Sequence, residues 1–424
     1  MKKIKLIRFA LLAVVAAGFI VFNGCGGNDN VVTPVTTITV NGKTVDLNGN
    51  SIAGLTASIG TTNTVTAADG SFTIANVTVP YDLKLVQASG SSPSGFLYQG
   101  LTTSTPSLFT SGLVSTPNSN TLTVNIPAMT ASQKALIFFT DEATNEKFGY
   151  ILPAATSTSL AVQWNGTATL TGKVIVMICT FSGATLVSYD KYGEKTGFVL
   201  NNGGTSSTTF SASDLTTNPG ESTVSGTLTA PAGYTNVVST VGFTFRSGVS
   251  YVFSTPVMII SGTSFSFLAP TGIASSFKII VEGAANGLTL NSKTNKFVQV
   301  LAGSTANSIV LDETPTLSTP PNASVSVDTT TNFVFAPGAG SGINFIAFNS
   351  ATEDFYVFTN ATSVKIPNFS SYGLGLSAGN SFTWKVTKFG NINTLDQFVS
   401  APLINNPGLT STANTETRTF TTAP

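Results

Sequence analysis

With no histidine anywhere in the sequence, acid–base and nucleophilic chemistry must come from other side chains. Ser-His-Asp and Cys-His activation are excluded, as is every histidine-ligated metal site. Paired carboxylates, Ser-Lys arrangements and oxygen-only metal sites remain. Glu142, Glu146 and Glu194 are the carboxylates that could gather in the middle of the chain, and a glycosidase needs two such groups. They lie in polar turns, where a solvated side chain is the ordinary reading.

Trp164, Tyr189, Tyr192 and Trp384 could stack on sugar rings. Trp384 alternates with Phe382 and Val386, and Trp164 with Leu160 and Val162, which is the spacing of a core face. Tyr189 and Tyr192 flank Asp190 and Lys191. They are the residues expected to form an exposed ligand patch.

Asp46, Asn48 and Asn50 around Gly49 imitate the opening of a calcium loop, but no bidentate Glu follows at the twelfth position and no helix flanks them; a hairpin turn is the reading. Gly338, Gly340 and Gly342 imitate a phosphate cradle, which must open a helix. The run after them, Ile343 to Phe348, is β-like, so these glycines read as a loop between strands. No cofactor and no metal is expected.

The elements that must carry these residues are strands. Only 9% of residues are charged while 42% are hydrophobic, so the polar surface is made of Ser, Thr, Asn and Gly, a strand-and-turn composition. The chain of 424 residues is too long for one ordinary domain. Sandwiches of roughly 100 residues would divide it into about four.

The run from Met1 to Gly24 has a basic start at Lys2, Lys3, Lys5 and Arg8 and an apolar stretch from Phe9 to Phe22, the pattern of a secretory signal. With Cys25 directly after Gly24, it resembles a bacterial lipoprotein signal. That resemblance implies a lipidated Cys25 at the mature N-terminus, a membrane anchor as partner, and the bacterial envelope, with the outer membrane as the expected address. Residues 1–24 hold four basic and no acidic side chains, leaving 15 basic against 19 acidic, a net of −4. Such a balance does not recruit nucleic acid. The other cysteine, Cys179, sits in the apolar run Lys173 to Phe181 and reads as a small buried residue.

Period-two alternation begins at Ile38. Gly42, Val45, Asp46, Gly49, Ile52, Gly54, then Thr66, Asp69, Gly70, Phe72, Tyr81 and Leu83 resemble the carboxypeptidase regulatory-like domain. The resemblance implies a transthyretin-like β-sandwich that serves as a spacing unit without peptidase chemistry. Thr121 to Ile126 is expected to close it. The second unit carries strands at Ala135 to Thr140 (where a helix across Ala131 to Phe139 competes), Phe148 to Leu152, Leu160 to Trp164, the Cys179 run, and Leu186 to Tyr189. The third has stripes at Phe243 and Phe245, Phe265 and Phe267, and Phe277, Ile279 and Val281. Its first strand, from Ser222 to Leu228, is similar to that of the first unit.

Past the prolines 315, 320 and 321, the order from Phe333 through Phe382, Trp384 and Val386 to Thr421 resembles a fibronectin type III domain. Phe335 stands at that family's core tryptophan, and Phe382 at its corner tyrosine.

The expected fold is all-β: tandem antiparallel β-sandwiches, transthyretin-like and immunoglobulin/fibronectin III-like, after a cleaved lipoprotein signal. The boundaries are 1–24 for the signal, 25–33 for the lipidated cysteine and tether, and 34–128, 129–217, 218–313 and 314–424 for the modules. The leading function is a non-enzymatic, lipid-anchored rod with a structural or adhesive display role. The alternatives are a glycan-binding surface lipoprotein using exposed aromatics of the middle domains, and a carboxylate-dependent hydrolase. A membrane barrel is set aside, because the chain ends Thr421, Thr422, Ala423, Pro424 without a terminal aromatic.

Overall fold

The structure is a computed structural model. It describes residues 36–424 except 48, 89–92, 112, 114–116, 144, 184, 247–254, 274–275 and 404–405. The signal, Cys25, the tether and Asn48 therefore lie outside the described residues. The regular secondary structure of the described residues is almost all strand, in β-sandwich modules, as composition and alternation predict.

One arrangement of seven strands occurs three times in succession. In the first copy the strands are Thr37–Val45, Thr56–Ile59, Thr62–Val65, Ser71–Thr78, Tyr81–Gln87, Ser94–Leu101 and Ser107–Phe109. The first strand lies between the fourth, antiparallel to it, and the seventh, parallel to it. The facing sheet has the order third, second, fifth, sixth, all antiparallel. The same two orders recur from Asn118–Asn125 to Gly204–Thr209 and from Glu221–Thr229 to Asn307–Val310. Each copy thus contains one parallel pairing that alternation could not reveal. The strand Asn118–Asn125, read from sequence as closing the first module, instead opens the second by pairing with Ser157–Trp164 and Gly204–Thr209.

In the fourth module, Thr316–Thr319, Phe333–Ala336 and Ser363–Val364 make one sheet. Gly342–Asn349, Asp354–Thr359, Ser381–Gly390, Ser411–Asn414 and Arg418–Thr422 belong to the other. That second sheet does not stop at the module. Asp354–Thr359 pairs in parallel with the sixth strand of the first module, Ser94–Leu101. On the other flank, Ser411–Asn414 pairs with the sixth strand of the third, Lys293–Val300.

A single 14-stranded sheet therefore joins modules one, four and three. The neighbour order in space is first, fourth, third, which corrects the expected rod in chain order. Both sixth strands would otherwise be open edges with unpaired backbone groups. Side chains follow the backbone across the join: Tyr98 stacks on Phe358 with ring centroids 4.4 Å apart, and Phe96 on Tyr356 at 4.9 Å.

The second module joins differently. Its strand Thr169–Ser182 is apolar on both faces, which suits a sheet covered on both sides. Val174, Val176 and Ile178 pack into the module's own core with Ile137, Phe139 and Leu122. Ile175, Met177 and Cys179 face the other way, onto Phe243, Phe265 and Ile279 of the third module. Gln133–Thr140 is a strand, not a helix, since Ile137, Phe138 and Phe139 fill positions on a sheet buried on both faces.

Candidate functional site

Tyr189, Tyr192 and the three glutamates lie at the seam between the second and third modules. The positions of the two tyrosines follow from a bulge. Cys179 pairs with Tyr189, Ile178 with Lys191 and Met177 with Tyr192, so Asp190 is the extra residue on its strand. A bulge resets the alternation of side chains. Tyr189 and Tyr192, three apart, therefore lie on the same face as Cys179 and Met177, pointing into the seam.

This corrects the exposed patch expected of them: Tyr189 is 1% exposed and Tyr192 9%. The Tyr189 hydroxyl donates to the Leu268 carbonyl oxygen at 3.1 Å, and its backbone N–H donates to the Glu221 carboxylate at 3.0 Å. Its ring packs 6.4 Å from that of Phe243, and burial raises its hydroxyl pKa well above the ordinary tyrosine value. The Tyr192 hydroxyl donates to Glu194 at 2.9 Å. Neither ring offers a face to a sugar.

Two of the three carboxylates, Glu142 and Glu194, gather around Lys173. Lys173 lies 2.5 Å from Glu142 and 3.8 Å from Glu194. Ser276 of the third module donates to Glu142 at 2.5 Å and accepts from Lys173 at 3.5 Å. These bonds hold the Glu142 carboxyl below its usual range. Serine beside lysine is the pairing of some hydrolases, but a general base needs a free lone pair. An ammonium held between two carboxylates offers none.

Glu146 stands apart from that cluster. It accepts from the Phe245 backbone N–H at 2.6 Å and from the Thr244 hydroxyl at 3.2 Å. Desolvation pushes its pKa up to about 7, against those two bonds and the nearby Arg246. Lys278 in turn donates to the Arg246 carbonyl oxygen at 2.9 Å. The arrangement can hold two modules together and can take up or release a proton at Glu146. Glu142 and Glu194 keep 44% and 35% of their side chains exposed, while the Lys173 between them keeps 10%. Lys173 carried a signal: a lysine entering a run buried on both faces needs a carboxylate nearby.

The remaining candidates are structural. Trp164 and Trp384 are core residues, 3% and 0% exposed. Cys179 is buried and unpaired, with its thiol pKa raised by desolvation. The Asp46 carboxylate accepts from the Asn50 backbone and side-chain amides at 2.9 and 3.0 Å, closing a turn in which Gly49 takes φ +83°. The carbonyls of Ala339 and Gly340 wrap the buried ammonium of Lys388, so the glycine-rich loop meets a cation of its own chain where a phosphate cradle would present N–H groups.

No protein-family model matches the chain, and the search of curated proteins gives no match. Among solved structures, the chain is similar to the Bacillus anthracis TIE protein, at 11% identity and a TM-score of 0.18 over 65% of this chain. It spans half the length of that protein. It is also similar to a tetra-tandem repeat from the extending region of a large adhesion protein, at 12% identity and TM-score 0.17, covering 90% of this chain and 99% of that one. A third is a Ca2+-stabilised adhesin of an ice-binding Antarctic bacterium, at 9% identity and TM-score 0.16, covering 92% and 94% of the two chains.

Proposed function

We propose that the chain is a non-enzymatic, lipid-anchored cell-envelope protein whose β-sandwich modules serve a structural or adhesive display role. The observation that carries this reading is the continuous sheet: module four covers the open edges of modules one and three with its own strands. Such an assembly invests its strands in mutual support and places its best-formed polar cluster in an intermodule seam. The signal-like run before Cys25 supports the anchor. The shared strand order of the first three copies supports reading all of them as relatives of the carboxypeptidase regulatory-like sandwich. The fourth module's two sheets support the fibronectin III reading.

The test is protease shaving of intact cells combined with mass spectrometry of the mature N-terminus. Acylated Cys25 and cleavage of the display modules from outside are expected. An unmodified Cys25, or modules fully shielded from protease, would reject the anchored-display reading.

A further inference from the structure

The first module has a groove of about 590 Å³ between the edges of its two sheets, where Thr62–Val65 borders one and Ser71–Thr78 the other. That volume is in the range of small-ligand sites. Its floor is apolar, set by Ile74 and Tyr81, and its rim is polar: Thr61, Thr62, Asn76, Thr78 and Asp82. We propose that this groove binds a neutral, hydroxyl-rich ligand, a segment of uncharged oligosaccharide.

The rim chemistry selects that class. No lysine or arginine lines the groove, so nothing there would neutralise a phosphate, sulfate or carboxylate. One carboxylate alone is too few hard ligands for calcium. What the rim does offer is three hydroxyls and a carboxamide, groups that donate and accept at once. Among the described residues none of these four side chains has a protein hydrogen-bond partner, and Asp82 uses one oxygen on the Gly100 N–H at 2.9 Å. Such a mixture of spare donors and acceptors matches sugar hydroxyls, which also do both.

The backbone points the same way. Val40 pairs with Ile74 and Ile38 with Val77, so Ala75 and Asn76 together oppose a single residue and form a bulge. Asn76 takes φ +58° there, a conformation that asparagine tolerates better than most residues but still at a cost. Bulges re-aim side chains and also spoil an edge for strand addition. Pro80, on the groove's wall, has no N–H to give a partner strand. An extended peptide is therefore the poorer fit, and the exposed proline ring is free to meet the C–H face of a sugar.

The inference deepens the adhesive reading and rests on it only for where the ligand is met, because binding by the purified mature chain is independent of acylation. Neutral and charged oligosaccharides are screened on an array, and hits are titrated by NMR with the native chain. Binding confined to neutral glycans is expected, with shifts at residues 60–62 and 76–82. Asn76→Gly keeps the backbone conformation and Thr78→Val keeps the shape of the side chain. Together they should weaken binding about tenfold without lowering the melting temperature, and Thr62→Trp should block the groove. No neutral glycan bound, equal binding by the variants, or preference for an extended peptide would each overturn the inference. Failure of acylation or shaving alone would remove the anchor and leave the groove standing.

Discussion

The ring of Phe72 lies across Gly42, filling the space that a Cβ there would need. The two residues are register partners on neighbouring strands. The third module repeats the relationship, with Phe265 lying across Gly226. The local sequences agree as well: Thr39-Val40-Asn41-Gly42 and Thr223-Val224-Ser225-Gly226 pair with strands that begin Ser71-Phe72 and Ser264-Phe265.

Gly42→Ala should force that ring off its site and cost about 1–3 kcal/mol, as overpacking does. Gly226→Ala should cost more, because a Cβ there also meets the backbone carbonyl of Asn307, which cannot swing away. Chemical denaturation measures both. Phe72→Leu in the Gly42→Ala background should recover part of the loss, and an additive double variant would refute the ring-over-glycine account.

Glu146 makes the seam sensitive to pH. Its folded pKa is raised from 4.5 to about 7 by burial. The stability it contributes is complete below about 4.5 and is lost as pH rises through about 7. The difference is at most about 3 kcal/mol. Melting temperature should therefore fall between pH 5 and pH 8 in the native chain and change less in Glu146→Gln. The same slope in both chains would show that Glu146 is not the group titrating.

Tyr189→Ala should act on stability. Removing a buried aromatic costs about 3–5 kcal/mol, and here it also removes the bond to Leu268 across the seam. Hydrogen exchange should rise on both sides, at residues 133–140 and 264–270. A variant with native exchange but altered ligand binding would return Tyr189 to the role first read from its neighbours.

A fragment ending at residue 111 leaves the strand Ser94–Leu101 without Asp354–Thr359 and exposes the outer faces of Phe96 and Tyr98. Uncharged edges of this kind pair with whatever strand is available. Size-exclusion chromatography with light scattering should find dimers or larger species. A clean monomer at high concentration would mean that the join contributes little.

Alternation is local, so the sequence revealed the strands: Phe72 with Ile74 and Trp384 with Val386 face the core as their spacing implies. The joins were not legible, because Ser94–Leu101 and Asp354–Thr359 are far apart in the chain and neither edge carries a pattern that names its partner. Lys173 to Phe181 did announce burial on both faces, but not what lies beyond it. Tyr189 misled for a specific reason. Asp190 and Lys191 make its surroundings look solvated, whereas the bulge at Asp190 turns both tyrosines inward. The groove beside Asn76 was invisible because it lies between the edges of two sheets, and the bulge that sets Asn76 on its rim needs the opposite strand to define it.

The module that covers both flanks is synthesised after the other three. Until the strands Asp354–Thr359 and Ser411–Asn414 exist, the earlier modules must persist with sticky margins waiting for a distant partner, and closure is slow when its contacts span such a length of chain. Lys293 and Lys296 guard the margin of the third module, but no charge guards Ser94–Leu101. Newly made chains should therefore depend on helpers that shield bare strands, and a truncated message should produce clumped material more readily than soluble pieces.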